Sequence, residues 1–331
     1  MVRVAVVGLG WWGRIIVQLL KGSAKIRAVK GIDPSPLAAP FAREQGLPLA
    51  AELGDALADP EVDAVVLCTP HSLHTDQIVA AASARKHVFC EKPLSLSRSE
   101  VLRAIDAVKA NGVQIAVGHE KRFEPPVLEV ARLAESGALG TLLQIEANFS
   151  QDKFLTMPLD NWRVSAKDAP AGPLTATGIH LVDLSVRFLG PAQSVCASVK
   201  QLGSPLANGD TLAILANFKS GGHALISAVL ATPFDGRVAV YGSKGWAEVR
   251  DKTHPESPEG WTLTTALRGE PKRTVDYSPA PAVLANLEAF ADAIEGRAPY
   301  PVPHEQMIAT VSALEAIVKS TRSGAVEPVA G

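Results

Sequence analysis

The chain has 331 residues, which at roughly 150 residues per domain favours two domains over one. Its 47% hydrophobic and 20% charged residues supply apolar side chains enough for cores without disulfide or metal staples, which excludes disordered and fibrous classes. The 32 Lys and Arg against 34 Asp and Glu leave a net charge of −2, without the basic excess that nucleic-acid binding by counterion release uses, so no nucleic-acid partner is expected.

From residue 2 to 118, short apolar runs alternate with stretches of helical period. The runs fall at 2–7, 26–32, 47–50, 62–68, 87–90 and 113–117. Ile15, Ile16, Leu19 and Leu20 mark one helical face between them, and Val101, Leu102, Ile105 and Val108 mark another, whose start Ser97 and Glu100 supply with a capping box. Strands alternating with helices predict right-handed crossovers and a doubly wound parallel sheet covered on both faces. After Phe123 the pattern changes: a helix over 125–136 leads to strand-like stretches at 142–149, 194–200, 211–218, 223–230, 237–242 and 246–250. Turn signals at Ser220-Gly221-Gly222 and Gly242-Ser243-Lys244-Gly245 join several of them, which predicts a large, mostly antiparallel sheet. One helix at 178–189 interrupts it, and helices at 283–295 and 305–320 close the chain. The polar, Pro-rich stretch 251–280 is assigned only as a possible hairpin. The expected organisation is an α/β protein with a dinucleotide-binding domain over 1–122 and an α+β domain over 123–331.

Gly8-Leu9-Gly10-Trp11-Trp12-Gly13 follows the first strand and opens the first helix, the context that gives G-x-G-x-x-G its meaning as a dinucleotide fingerprint. Gly8 permits the tight turn, Gly10 lets the backbone approach a pyrophosphate, and Gly13 lets the helix pack on the strand, while the helix N-terminus offers N–H groups to the phosphates. Asp33, 20 residues after Gly13, is placed to accept the ribose hydroxyls of the adenosine and to repel a 2′-phosphate, favouring NAD over NADP. Capping a helix near Pro36 is its other role. Trp11 and Trp12 either pack on the sheet or stand at the cofactor.

Thr69-Pro70-His71-Ser72-Leu73-His74 follows the fourth strand and Glu91-Lys92-Pro93 the fifth, both at carboxyl ends of parallel strands, where open α/β sheets bind ligands. Together with the glycine loop, Arg122-Phe123 and Gly178-Ile179-His180-Leu181-Val182-Asp183, these motifs make the chain resemble the Gfo/Idh/MocA oxidoreductase family, in family order from the first strand to residue 183. Tyr241-Gly242-Ser243-Lys244-Gly245 and Ser320-Thr321-Arg322-Ser323-Gly324 extend the likeness over nearly the whole chain. The resemblance implies hydride transfer between NAD(P) and a secondary alcohol of a sugar, polyol, sugar acid or cyclic dihydrodiol, with Lys92 and His180 near the nicotinamide and the pieces Thr69, Pro70, His71, His74 and Glu91 around the cofactor. His180, with an ordinary pKa of ~6.5, suits the base that alcohol oxidation requires. Lys92 polarises the carbonyl or holds the hydroxyl while charged, and becomes a base only if burial lowers its pKa. Glu91 positions the lysine or its backbone, and Asp183 lies on the helical face of His180.

Two positions depart from the family pattern. Ala176 stands where an Asp usually precedes the histidine by four residues, with Thr175 and Thr177 as the neighbouring hydroxyls, and His71 stands where Asn usually follows Thr-Pro. The expected substrate contacts are Lys92, Arg122, Trp162, Arg163, Thr177 and His180; two or more of Lys121, Arg122, Lys153 and Arg163 would grip a carboxylate if the substrate carries one. NAD-assisted glycoside cleavage and a non-catalytic dinucleotide-binding regulator are the alternative functions.

The longest apolar runs, such as 65–68, fall far short of the ~20 residues that cross a bilayer. The opening residues run into a glycine turn without a cleavage-site pattern, which reads as a mature cytoplasmic N-terminus with no membrane partner. Cys68, Cys90 and Cys196 form no C-x-x-C pair, so no metal is expected, and all three read as buried small hydrophobes in a reducing compartment. A large sheet with one open face must cover it, so a homodimer or homotetramer formed through the C-terminal sheet is expected.

Overall fold

A computed structural model describes residues 1–255 and 257–331. They form two compact units, one of Met1–His119 with Val283–Met307 and the other of Glu120–Ala282 with Ile308–Gly331. Glu256, within the stretch assigned as a possible hairpin, lies outside the described residues.

The first unit begins with β1 (Val2–Val7), α1 (Trp11–Leu20), β2 (Ile26–Ile32), α2 (Ala39–Glu44), β3 (Leu49–Ala50) and α3 (Leu53–Leu57). It continues with β4 (Ala64–Leu67), α4 (His74–Ser83), β5 (His87–Cys90), α5 (Arg98–Asn111) and β6 (Ile115–Val117). The sheet is parallel throughout, in the order β3-β2-β1-β4-β5-β6. β4 is buried along its whole length and reads Ala-Val-Val-Leu, as expected of a strand covered on both faces. Ser97 accepts from the Glu100 amide and Glu100 reaches back to the Ser97 amide, so the capping box sets the start of α5; Gly112, left-handed at φ +65°, ends it. Several apolar runs overreach their strands at one end. Leu47, for example, sends its amide to the Ala42 carbonyl and closes α2 instead of joining β3.

The second unit opens with α6 (Pro125–Glu135), started by proline in its first turn, then β7 (Leu142–Ser150). A π-helical turn over Leu174–Gly178 runs into α7 (Ile179–Leu189). β8 (Ala192–Lys200), β9 (Thr211–Phe218), β10 (His223–Val229), β11 (Asp235–Gly242) and β12 (Gly245–Asp251) follow. β13 (Trp261–Leu267) and β14 (Arg273–Tyr277) pair antiparallel and supply the hairpin within 251–280. After α8 (Ala282–Ile294) and α9 (His304–Ser323), β15 (Glu327–Pro328) completes a nine-stranded sheet in the order β14-β13-β12-β11-β7-β10-β9-β8-β15. It is antiparallel except where β10 runs parallel to β7. One face is buried against α6, α7 and the later part of α9, through Val127, Leu181, Leu184, Leu314 and Ile317 among others.

Residues 283–307, expected from the sequence in the second domain, group with the first compact unit. Leu287, Phe290 and Ala291 of α8 enter the core of the first unit, with the Phe290 ring 5.9 Å from that of Phe89. Asn286 donates to the Val117 carbonyl at 2.9 Å, and the Tyr300 hydroxyl accepts from the Val117 amide and donates to Asn286. These side chains satisfy the amide and carbonyl of Val117 on the outer edge of β6. The cysteine reading is also corrected: Cys90 is buried, Cys68 half-buried, and Cys196 exposed, because its side chain points to the uncovered face of β8. No helix among the described residues is long and apolar enough to cross a membrane.

Truncating Phe290 removes a fully enclosed ring, so Phe290→Ala is expected to lose about 3–5 kcal/mol in urea unfolding. A loss under about 1 kcal/mol would contradict the placement of α8 in that core.

Candidate active site

Because β1 lies between β2 and β4, the loops after β1 and β4 leave the same carboxyl edge where strand order reverses, the usual ligand position of such sheets. The three glycines of the first loop do different work. Gly8 has φ +88°, and a Cβ there would stand 2.8 Å from the Cys68 carbonyl oxygen. A Cβ on Gly13 would lie 1.9 Å from the Gly8 oxygen, so the helix approaches its strand only without one. Gly10 meets nothing within 4 Å, and α1 begins there with no side-chain cap and no acidic residue in its first turn. Its leading N–H groups are thus left for an anion brought from outside. The Trp12 ring packs against the core while its indole N–H is buried with no hydrogen-bond partner among the described residues; Trp11 is largely exposed. The open space at Gly10 and the orphaned indole N–H fit a dinucleotide pyrophosphate.

Asp33 accepts from the Leu9 amide at 2.7 Å through one oxygen and from the Ser35 amide at 2.8 Å through the other. Ser35, not Asp33, caps the short helix at Pro36. Asp33 therefore fastens the glycine loop, and its remaining lone pairs suit ribose hydroxyls.

His74 is fully buried, with Nδ1 2.8 Å from the Pro93 carbonyl and Nε2 3.1 Å from the Thr69 carbonyl, and burial holds its pKa below the ordinary histidine value. The side chain ties the Thr69-Pro70 and Glu91-Lys92-Pro93 loops together from behind, which replaces the expected ligand contact with a positioning one. Thr69 donates its hydroxyl to Gln77. His71 is buried beside His74, their ring centroids 5.7 Å apart. Glu91 accepts from the Lys92 amide at 3.3 Å, in space that a Cβ on Gly118 would fill. Lys92 is half-buried and joins Pro93 through a cis peptide.

In the second unit, the segment Glu120–Phe123 buries three consecutive charged side chains. Arg122 forks onto Asp183 of α7 at 2.5 and 2.7 Å, and Thr310 of α9 donates to the same carboxylate. Lys121 pairs with Glu124 at 3.2 Å and Asp251 at 3.0 Å and lies over the Phe149 ring at 4.9 Å; Trp261 donates to Asp251. Burial opposes the Lys121 ammonium, yet Asp251 and Glu124 outweigh it and raise its pKa above the ordinary value, while burial pushes the Glu124 carboxyl up. Two of the four cations assigned to a substrate carboxylate are thus committed to internal ion pairs.

His180, buried in the first turn of α7, has Nδ1 3.5 Å from Glu120 Oε2 and its ring 6.1 Å from that of Phe149. Thr177 is 1% exposed and donates to the Phe149 carbonyl at 2.8 Å, so its hydroxyl secures the π-helical turn to β7 and not a ligand. Ala176 packs against a satellite cluster of Phe154, Val164, Leu206, Leu230 and Met157. Arg163 stacks on Trp162 at 4.3 Å. Sequence reasoning missed Glu120, Glu124 and Asp251. The run Glu-Lys-Arg-Phe-Glu reads as a solvated charge cluster, and its partners Asp183 and Asp251 lie far along the chain.

Residues 2–119 match the family model described as an oxidoreductase family with an NAD-binding Rossmann fold, and residues 127–248 match the GFO/IDH/MocA C-terminal domain. The chain is 31% identical to the uncharacterized oxidoreductase YrbE of Bacillus subtilis over 277 residues, covering 80% of this chain and 78% of the relative. It is 32% identical to myo-inositol 2-dehydrogenase of Thermotoga maritima, covering 73% of each. Among solved structures, a putative NADPH-dependent oxidoreductase of Desulfitobacterium hafniense superposes with TM-score 0.89 at 25% identity, covering 99% of this chain and 97% of the other.

The glycine geometry separates binding from folding. Gly10→Ala is expected to keep the unfolding midpoint and weaken NADH binding, followed by fluorescence, at least tenfold. Gly13→Ala is expected to lower the midpoint itself, and a Gly13→Ala protein as stable as wild type would overturn the close-approach account.

Proposed function

Since the chain belongs to the Gfo/Idh/MocA oxidoreductase family, we propose that it is an NAD(P)-dependent dehydrogenase that oxidises a secondary alcohol of a sugar, polyol or cyclic diol. The observation that carries this reading is the cradle at Gly10, where a helix N-terminus without cap or acidic neighbour meets open space beside an orphaned indole N–H. When bound, the nicotinamide supplies the hydride acceptor. Gly8, Gly10, Trp12 and Asp33 hold the cofactor, and the two Asp33 oxygens favour ribose hydroxyls over a 2′-phosphate, hence NAD over NADP.

An alcohol gives up hydride only as its proton leaves, so a base must reach the hydroxyl. His180 takes that proton. Lys92, as an ammonium, holds the substrate oxygen and stabilises negative charge on it. Lys121 and Arg122 are held in internal pairs, which withdraws two of the four cations from a substrate carboxylate and shifts the reading toward neutral substrates. Myo-inositol 2-dehydrogenase of Thermotoga maritima, a relative by sequence, acts on such a neutral polyol by its name. The exposed thiol of Cys196 suits a reducing cytoplasmic compartment.

The uncovered sheet face pairs Leu215 with Leu225, flanked by Cys196 and by Arg237 between Glu146 and Glu248. Two half-exposed leucines side by side on such a face point to a second copy as its cover, so a homodimer or homotetramer forms through it. Sedimentation at micromolar concentration is expected to show a dimer or larger; a monomer refutes this.

A panel of sugars, inositols, uronic acids and arene dihydrodiols, assayed for NADH formation, tests the activity. Turnover is expected on neutral members, with kcat/KM lowered about 100-fold or more in Lys92→Ala and in His180→Ala. Unchanged rates in both variants would overturn the roles. Substrate consumption without net NADH would point instead to glycoside cleavage.

A further inference from the structure

We infer that Glu120 is the positioning residue for His180, holding its imidazole in the Nδ1–H tautomer and stabilising the imidazolium formed as the substrate proton arrives. This rests on the proposed role of His180 as base. Three observations support it. The Glu120 carboxylate lies 3.5 Å from His180 Nδ1 with both side chains buried, longer than a hydrogen bond but close enough that an imidazolium formed there is attracted to it out of water. Glu120 belongs to a buried charged segment whose next two side chains are held in place, Lys121 by Glu124 and Asp251 and Arg122 by Asp183. Finally, Ala176, one helical turn before His180, brings only a methyl group and packs into an apolar cluster, so that position offers no carboxylate to the ring.

Charged groups crowd the Glu120 side of the pair. Lys121 lies within its field, Glu124 and Asp251 balance Lys121, and Asp183 on the same helix is taken up by Arg122. On the β7 side Phe149 stands between His180 and His254, its ring 6.1 Å from the first and 5.9 Å from the second. With Nδ1 turned to Glu120, Nε2 presents its lone pair to the substrate hydroxyl. Nε2 would take the O–H proton as the oxygen's electron pair forms the C=O bond, and a bound nicotinamide would supply the acceptor for the hydride that leaves carbon. A carboxylate behind a histidine performs the same office in Asp-His-Ser triads.

The test needs no substrate. Nitrogen-15 histidine spectra of the full chain, with the His180 signal assigned by its loss in His180→Asn, report tautomer and pKa directly. Wild type is expected to show Nδ1–H in the neutral ring, and Glu120→Gln to lower the His180 pKa by about one pH unit. Glu120→Asp, which keeps the charge on a shorter arm, is expected to fall between and serves if Glu120→Gln does not fold. On a panel substrate, the acidic limb of kcat/KM in Glu120→Gln is expected to move to lower pH, with kcat about tenfold down and the KM for NAD unchanged. A His180 pKa and tautomer that are the same in wild type, Glu120→Gln and Glu120→Asp would overturn the inference while leaving His180 as base. A His180→Asn enzyme with full turnover would overturn the role of His180 instead, whatever the spectra show for Glu120.

Discussion

Burying charge is the constraint around which the second unit is arranged. Glu120, Lys121 and Arg122 are consecutive, and none is more than 7% exposed. Unpaired, each would cost several kcal/mol, so the fold must bring partners from elsewhere. α7 brings Asp183 to Arg122 and β12 brings Asp251 to Lys121, while Glu120 faces the His180 imidazole, which is a counter-charge only when protonated. Meeting all of these partners at once fixes α7 in rotation as well as in position, since Asp183 and His180 are three residues apart on one helical face. The scaffold that satisfies Arg122 is therefore also the one that aims the proposed base.

The first unit meets a different demand, that of bringing backbone close to backbone. Gly13 approaches the Gly8 carbonyl at a distance no side chain tolerates, and this contact lets α1 start directly beneath the carboxyl edge of β1 with its N–H groups free. Asp33 then fastens the loop through the Leu9 amide, and His74 joins the two neighbouring loops through their carbonyls. Each of these residues shapes the cradle from behind. The same economy operates at the opposite margin of the sheet, where Asn286 and Tyr300 satisfy Val117 on the outer edge of β6.

Much of this was legible from the residues, because strand and helix periods, the capping box at Ser97 and Glu100, and the glycine loop are local signals. The parallel sheet and the mostly antiparallel sheet followed from how those local elements alternate. What escaped was set by partners distant in sequence. Nothing near Arg122 announces Asp183, and nothing near residues 283–307 announces that Phe290 will meet Phe89. Thr177 looks like an available hydroxyl until β7 is found to offer its Phe149 carbonyl. Cys196 looks like a core residue until β8 is seen to have only one covered face.

The π-helical turn carries the half-buried Ala176 against the cluster of Phe154, Val164, Leu206 and Leu230, where an ionised side chain would lose part of its hydration. The methyl group suits that environment. A carboxylate for the histidine must then come from another element, and the segment that follows β6 places one at Nδ1. A carboxylate that stabilises an imidazolium need not come from the histidine's own helix.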